Sequence, residues 1–171
     1  MLYIYTGDGK GKTSAAVGLL TRSRGAGLSC AIIFFDKNPD YCNELGVLKQ
    51  IGVEAYIFGS NRVLDSSFRF DNLDIDYKEA KDALATAKNI KEEEVDVLVL
   101  DEVLNGIRTG LLSLEDILEF IDNWPKEKYL VLTGRGLPTE IKERSHMVSE
   151  ILNIKHPFDN QEKIAEAGID Y

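Results

Sequence analysis

Continuous apolar runs alternate with helically spaced apolar positions along this chain. Residues 2–5, 30–35, 54–58, 95–100 and 129–133 predict five strands, and a sixth run at 147–152 predicts an edge strand. Runs this short, bounded by glycine, proline or acidic residues, suit strands covered on both faces. The intervening segments predict helices over 12–24, 43–50, 75–91 and 111–123, and Pro138 opens a short one through Arg144. Gly25 and Gly27 end the first helix. Ala80, Ala83, Leu84 and Ala87 set one face of the third. Ser113, with Asp116 three residues on, reads as an N-cap, and Trp124-Pro125 closes that helix. Lys91-Glu92-Glu93-Glu94 reads as a solvated helix end, and a last short helix is expected to finish near Gly168. The alternation predicts an α/β fold with a mainly parallel sheet flanked by helices.

Two stretches break the pattern. Asp36-Lys37-Asn38-Pro39 is a turn at the C-terminal end of the second strand, where open α/β sheets carry ligands. Residues 59–74 have no clear period and contain Phe68, Arg69 and Phe70. A loop of that length in a compact domain is usually functional or disordered, and the alternation of Phe68 and Phe70 with Arg69 favours the functional reading. The competing reading is that both phenylalanines plug the core.

The strongest chemical signal follows the first strand: Thr6-Gly7-Asp8-Gly9-Lys10-Gly11-Lys12-Thr13-Ser14. A glycine-rich turn between a strand and a helix aims backbone N–H groups and the positive helix end at an anion. Lys12 can reach terminal phosphates, and the Thr13 hydroxyl can take a Mg²⁺ ligand position. Gly11, Lys12 and Thr13 fit the P-loop pattern, but its first glycine falls on Thr6, and the glycines alternate instead. The spacing predicts a family variant of the loop rather than an ordinary NTPase.

Val97-Leu98-Val99-Leu100-Asp101-Glu102 has the form of a Walker B strand, its end presenting a carboxylate beside the P-loop for Mg²⁺. Either acid can bind the metal while the other orients it or caps the next helix. Arg135, between Gly134 and Gly136 at the end of the fifth strand, is placed on the same sheet edge and suits phosphate stabilisation. Arg22 and Arg24 lie about three turns from the phosphates and read as structural or solvated. His156 reads as a packing or hydrogen-bonding residue.

Composition narrows the class. One domain is expected over 171 residues, with 44% hydrophobic and 29% charged residues. The net charge of −9 argues against nucleic-acid and anionic-membrane binding, but not against nucleotide binding in one locally basic loop. Cys30 reads as a buried packing residue, and Cys30, Cys42, His146 and His156 lack zinc-site spacing. No run is long enough to span a bilayer, and no N-terminal targeting segment is seen, so a reduced, cytoplasmic setting is expected.

Taken together, the variant P-loop, Arg24-Gly25-Ala26-Gly27, Leu100-Asp101-Glu102, Thr133-Gly134-Arg135-Gly136 and the tail from Lys155-His156-Pro157-Phe158-Asp159 to Gly168-Ile169-Asp170-Tyr171 resemble the ATP:corrinoid adenosyltransferases of the cob(I)alamin type. The matching blocks are ordered and spread over nearly the whole chain. The resemblance implies a RecA-like P-loop fold, a homodimer, a flavoprotein reductase as partner, and transfer of the 5′-deoxyadenosyl group of ATP to the Co(I) of a reduced corrinoid, with triphosphate leaving. Cobalt is then the nucleophile, and the protein must hold the 5′ carbon in line and neutralise the triphosphate, a task for Lys12, Lys10, Arg135 and Mg²⁺. A nucleotide lying reversed along the loop would rationalise the altered glycine spacing. The family also uses loop aromatics to exclude water and the lower cobalt ligand, which points to residues 59–73 with Phe68 and Phe70. Here the chain departs from the family: that loop has no tryptophan, the only one being Trp124, and Tyr77 stands where a further tryptophan is common. An N-terminal extension that covers the site in some members is also missing from this sequence. The residues alone leave two other readings open: a P-loop ATPase or kinase, and a non-catalytic nucleotide or corrinoid sensor.

Overall fold

The computed structural model describes residues 1–64, 67–155 and 166–169. In chain order the elements are β1 (Leu2–Thr6), α1 (Lys12–Gly25), β2 (Cys30–Phe34), α2 (Glu44–Gln50), β3 (Glu54–Ile57), β4 (Val63–Leu64), β5 (Ser67–Phe68), α3 (Asp74–Asn89), β6 (Val97–Asp101), α4 (Val103–Arg108), α5 (Leu114–Asn123), β7 (Tyr129–Thr133), α6 (Thr139–Arg144) and β8 (Met147–Glu150). Six strands form one sheet in the order β3-β2-β6-β7-β1-β8. Every pairing in it is parallel, as the alternation of strands and helices requires.

The central strands are buried on both faces, and their side chains sort by the period of two. Ile32, Phe34, Val97, Val99 and Val131 pack with Ala16 and Leu20 of α1 and Leu48 of α2. Their alternates Ala31, Ile33, Leu98, Leu100, Leu130 and Leu132 pack with α3, α4 and α5 on the other face. Ala80, Ala83, Leu84 and Ala87 are the buried stripe of α3, as their spacing predicts. Each fully buried large aliphatic side chain contributes about 1.5–3 kcal/mol relative to exposure, so the two faces together dominate stability.

A polar clasp joins the N-terminal ends of β2, β6 and β7. The Asp96 carboxylate accepts from the N–H and hydroxyl of Ser29 at 2.9 and 2.8 Å and from Lys128 Nζ at 2.7 Å. These donors hold the Asp96 carboxyl well below its ordinary value, at about 2. At the edge, His146 Nδ1 accepts the Leu2 N–H at 3.0 Å, tying the entry of β8 to β1.

Several expectations need correction. The helix expected over 111–123 begins at Leu114, because the Ser113 hydroxyl accepts the Asp116 N–H at 3.1 Å and caps it there; Leu111 and Leu112 are buried in the preceding turn. The edge strand expected over 147–152 stops at Glu150, and residues 151–152 leave the sheet to lie against the glycine-rich loop. The aperiodic stretch 59–74 holds a small antiparallel hairpin, with Val63 opposite Phe68 and Leu64 opposite Ser67. Helix α4 was not anticipated from the sequence. Cys30 is buried as expected, and its thiol is pushed up to about 11 by burial. Arg24 is structural: its guanidinium donates to the carbonyls of Ile51 and Leu28. His156, the rest of the tail through residue 165, and Asp170 and Tyr171 lie outside the described residues, as does most of the helix expected there.

Candidate active site

The loop between β1 and α1 has two sides. Residues 10–14 line an open cleft of about 610 Å³ together with Lys37, Glu44 and Glu102, a volume within the usual range for ligand sites. The other side packs against the chain leaving β8. The Gly9 N–H donates to Ile151 O at 2.8 Å. A Cβ on Gly7 would lie 2.4 Å from Ile151 O, and one on Gly9 would lie 2.5 Å from Leu152 O. Gly7 also has φ 103°, a region that side chains rarely enter. Gly7 and Gly9 therefore have a second origin besides ligand approach, because backbone lies directly on backbone there, whereas a Cβ on Gly11 would meet nothing within 4 Å.

Lys12 opens α1, is 6% exposed, and donates from Nζ to Gly9 O at 2.9 Å. Burial pushes its ammonium below the ordinary value, Arg135 works in the same direction, and Glu102, Asp8 and Asp101 oppose the shift. A partly desolvated ammonium of this kind gains most from a multiply charged anion. Arg135 follows Gly134 at the end of β7 and bends toward the same loop: its Nη2 lies 3.4 Å from Asp8 O and its Nε 3.9 Å from Asp8 Oδ1. The structure thus brings Arg135 to the P-loop, as the sequence predicts.

Asp101 ends β6 and has no exposure. Strand β7 stands between β1 and β6 in the sheet, yet Asp101 reaches the loop, because Thr13 Oγ1 donates to its Oδ2 at 3.1 Å. Its Oδ1 accepts from Thr133 Oγ1 at 2.7 Å. Burial raises the Asp101 carboxyl above its ordinary value, and the two hydroxyls and Lys37 oppose that shift. Glu102 follows with φ 60°, a left-handed conformation uncommon outside glycine, and stands at the N-cap position of α4 without a side-chain capping bond. Its N–H donates to Thr133 Oγ1 at 2.8 Å. Burial first, then Asp101, push its carboxyl up. The two acids therefore differ in role: Asp101 is enclosed between two hydroxyls, and Glu102 lines the cleft.

Thr133 is a residue of this site that motif reading missed. Its hydroxyl donates to one acid and accepts from the backbone of the next, so the middle strand sets both. A hydroxyl at the last position of an apolar strand was visible in the sequence, but the strand order that gives it partners was not.

The donors near Thr13 are hard oxygens, as Mg²⁺ requires. Among the described residues no cluster of three or more His, Cys, Asp or Glu could hold a metal by itself. Thr13, Asp101 and Glu102 fit an ion that takes its remaining ligands from phosphate and water.

Of the aromatic residues expected on the corrinoid side, Phe70 and Tyr77 stand outside the cleft lined by the glycine-rich loop. Phe70 is 84% exposed and Tyr77 40% exposed. Phe70 does not plug the core. The Phe68 backbone is in β5, and its side chain lies outside what is described. The stem of this loop is fixed by charge. Arg62 Nε donates to Asp36 Oδ1 at 2.6 Å, and Arg69 donates to both oxygens of Asp76, at 2.6 and 3.0 Å. Asp76, 2% exposed, also accepts the Leu73 N–H at 2.7 Å. Its carboxyl is held far below the ordinary range, by Arg69 first. Buried charges survive only when paired in this way.

Comparison with known proteins agrees with the geometry. A protein family described as ATP:corrinoid adenosyltransferase BtuR/CobO/CobP matches residues 1–171. The chain is 31% identical over 172 residues to the corrinoid adenosyltransferase of Escherichia coli strain K12, covering 100% of this chain and 85% of that protein. It is 30% identical over 177 residues to the corrinoid adenosyltransferase CobA of Salmonella typhimurium, with the same coverage of 100% and 85%. Among solved structures it resembles the flagellar accessory protein FlaH from Methanocaldococcus jannaschii, with TM-score 0.56 and 13% identity over 87% of this chain and 69% of that one. That likeness is one of fold.

Proposed function

Since the chain belongs to the ATP:corrinoid adenosyltransferase family, we propose that the cleft beside Lys12 is where ATP surrenders its 5′-deoxyadenosyl group to the cobalt of a reduced corrinoid. The protein is an enzyme that adenosylates corrinoids with ATP. The observation that carries the site assignment is the convergence of Lys12, Thr13, Asp101, Glu102 and Arg135 at one end of the sheet.

In this reading the residues need not supply a nucleophile. Co(I) brings the electron pair that forms the new cobalt–carbon bond, and the C5′–O5′ bond electrons leave with the triphosphate. Lys12 and the backbone N–H groups of the loop receive the triphosphate, and Arg135 and Lys10 add positive charge at its rim. Mg²⁺ held at Thr13, with Glu102 and Asp101 behind it, would neutralise further charge on the leaving group. The corrinoid side is formed by the hairpin, which holds Phe68 in its second strand and leads to the exposed Phe70, and by Tyr77 in the first turn of α3.

The protein works as a single P-loop domain spanning residues 1–171, as a cytoplasmic homodimer that takes reduced corrinoid from a flavoprotein reductase. No helix among the described residues is long and apolar enough to cross a membrane. Anaerobic incubation with ATP, Mg²⁺ and chemically reduced corrinoid tests the reading. The expected products are an adenosyl–cobalt absorption spectrum and inorganic triphosphate. ADP and phosphate in their place would assign the cleft to a kinase or ATPase, and binding without turnover would assign it to a sensor.

A further inference from the structure

The cleft has a second cationic element, away from the glycine-rich loop. Lys37 and Glu44 both line it, and Lys37 Nζ lies 2.6 Å from Glu44 Oε1. Each side chain keeps 21% of its exposure, so the pair is neither sealed in the core nor freely solvated. The backbone that presents Lys37 is unusual. Asp36, the residue before it, has φ 50°, and its carboxylate is held by Arg62, itself 7% exposed. Conformations like this persist where surrounding contacts over-determine them, and they gather at functional sites. The Lys37 N–H donates to Phe58 O at 3.0 Å, and its ammonium lies 4.9 Å from the centroid of the Phe34 ring.

The electrostatics link this pair to the acids of the site. Burial disfavours the charged Lys37, yet the bond to Glu44 and the field of Asp101 leave its ammonium above the ordinary value. Lys37 in turn opposes the upward shift at both Asp101 and Glu102. It is therefore a charged lysine in the same field as the metal-side acids, and its direct partner is a single carboxylate at the first position of a short helix.

We propose that Lys37 is a phosphate-binding residue of the cleft and that Glu44 holds it in reserve, the ammonium exchanging the Glu44 carboxylate for a phosphate oxygen when the triphosphate of ATP enters. This rests on the reading that the cleft holds ATP. The exchange swaps one charge-assisted hydrogen bond for another, so Glu44 competes with the ligand. Removing the competitor and removing the cation must then act in opposite directions, which a merely structural ion pair would not do.

Calorimetric titration with inorganic triphosphate tests this. Lys37→Met, which keeps an unbranched side chain and removes the charge, is expected to weaken binding roughly tenfold. Glu44→Gln is expected to tighten it several-fold, and the double variant to match Lys37→Met. Weaker or unchanged binding in Glu44→Gln overturns the proposal, as does unchanged binding in Lys37→Met. If Lys37→Met does not fold, Glu44→Gln, which keeps the size and shape of the side chain, decides by itself. A Lys12→Ala control separates the two levels: equal triphosphate binding by wild type and Lys12→Ala removes the cleft assignment and this proposal with it. A Lys12-dependent site indifferent to Lys37 removes the proposal alone.

Discussion

Thr133 donates its hydroxyl proton to Oδ1 of Asp101 across 2.7 Å, and neither side chain has any solvent exposure. The Thr133 hydroxyl oxygen in turn accepts the N–H of Glu102. One hydroxyl on the strand between β1 and β6 therefore orients both acids of the site. Thr133→Val keeps the shape and removes the bond. It should cost about 2 kcal/mol of stability, the scale of a hydrogen bond to a charged group, and lower the adenosylation rate. Thr133→Ser should recover most of both, as read by urea unfolding and by the rate of adenosyl–cobalt formation.

In the proposed reading Lys12 is the cation that meets the leaving triphosphate. Lys12→Ala should reduce adenosyl transfer at least about a hundredfold, as loss of a preorganised charge-stabilising donor does. Arg135→Ala should cost less, because its side chain is half exposed and bonds weakly to Asp8. Near-normal turnover by Lys12→Ala would remove the site assignment.

The two acids should separate in Mg²⁺ titrations. Glu102→Gln is expected to raise the Mg²⁺ concentration for half-maximal rate while leaving the unfolding midpoint close to wild type. Asp101→Asn should shift both, because each of its oxygens already holds a threonine hydroxyl. The reverse ranking, with stability lost at Glu102 and kept at Asp101, contradicts the roles assigned here.

The clasp at Asp96 predicts a pH dependence. Its carboxyl lies at about 2 in the folded protein against 3.8 ordinarily. A depressed folded value means the contribution is complete above pH 3.8, fades as pH falls, and is gone below about 2. Asp96→Asn should therefore lower the urea midpoint at neutral pH, and the gap from wild type should close through that acidic window. A gap that persists unchanged at the acidic end would show that the side chain acts by packing and not by charge.

Gly9→Ala tests the packing origin of the loop glycines. The added methyl meets the Leu152 carbonyl at 2.5 Å, so the β8 exit or the loop must move. Stability should fall by about 2 kcal/mol, within the range of strained single substitutions, and ATP affinity should fall with it in a binding titration. Unchanged affinity would mean that the loop can shift without losing its ligand geometry.

How far the sequence anticipates this structure depends on whether the information is local. β1, β2, β6 and β7 are continuous apolar runs between turn residues, and each lies within a residue or two of its expected span. The glycine-rich loop, Asp101-Glu102 and Arg135 were readable because each sits at the C-terminal end of such a run. Helix α4 escaped because its six residues are too few to show a period and it starts from a left-handed Glu102. The β4–β5 hairpin escaped because its strands are two residues each. Thr133 and the Lys37–Glu44 pair escaped for a different reason: their meaning lies in which strands are neighbours and in what a turn brings together. Burial of Trp124 against Phe120 likewise follows from the fold and not from its rarity in the chain.

The contact between Gly9 and Ile151 bears on when the nucleotide site comes into being. The glycine-rich loop is near the start of the chain, and the backbone it lies on comes near the end of the described sheet. A nascent chain holding only the first strands lacks the surface against which the loop is shaped. The loop's shape is closed by a contact of very long sequence separation, whose loop-closure entropy must be met before the contact can form. A chain cut before β8 is therefore expected to lose ATP binding, and nucleotide binding would then report that the sheet is complete to its outer strand.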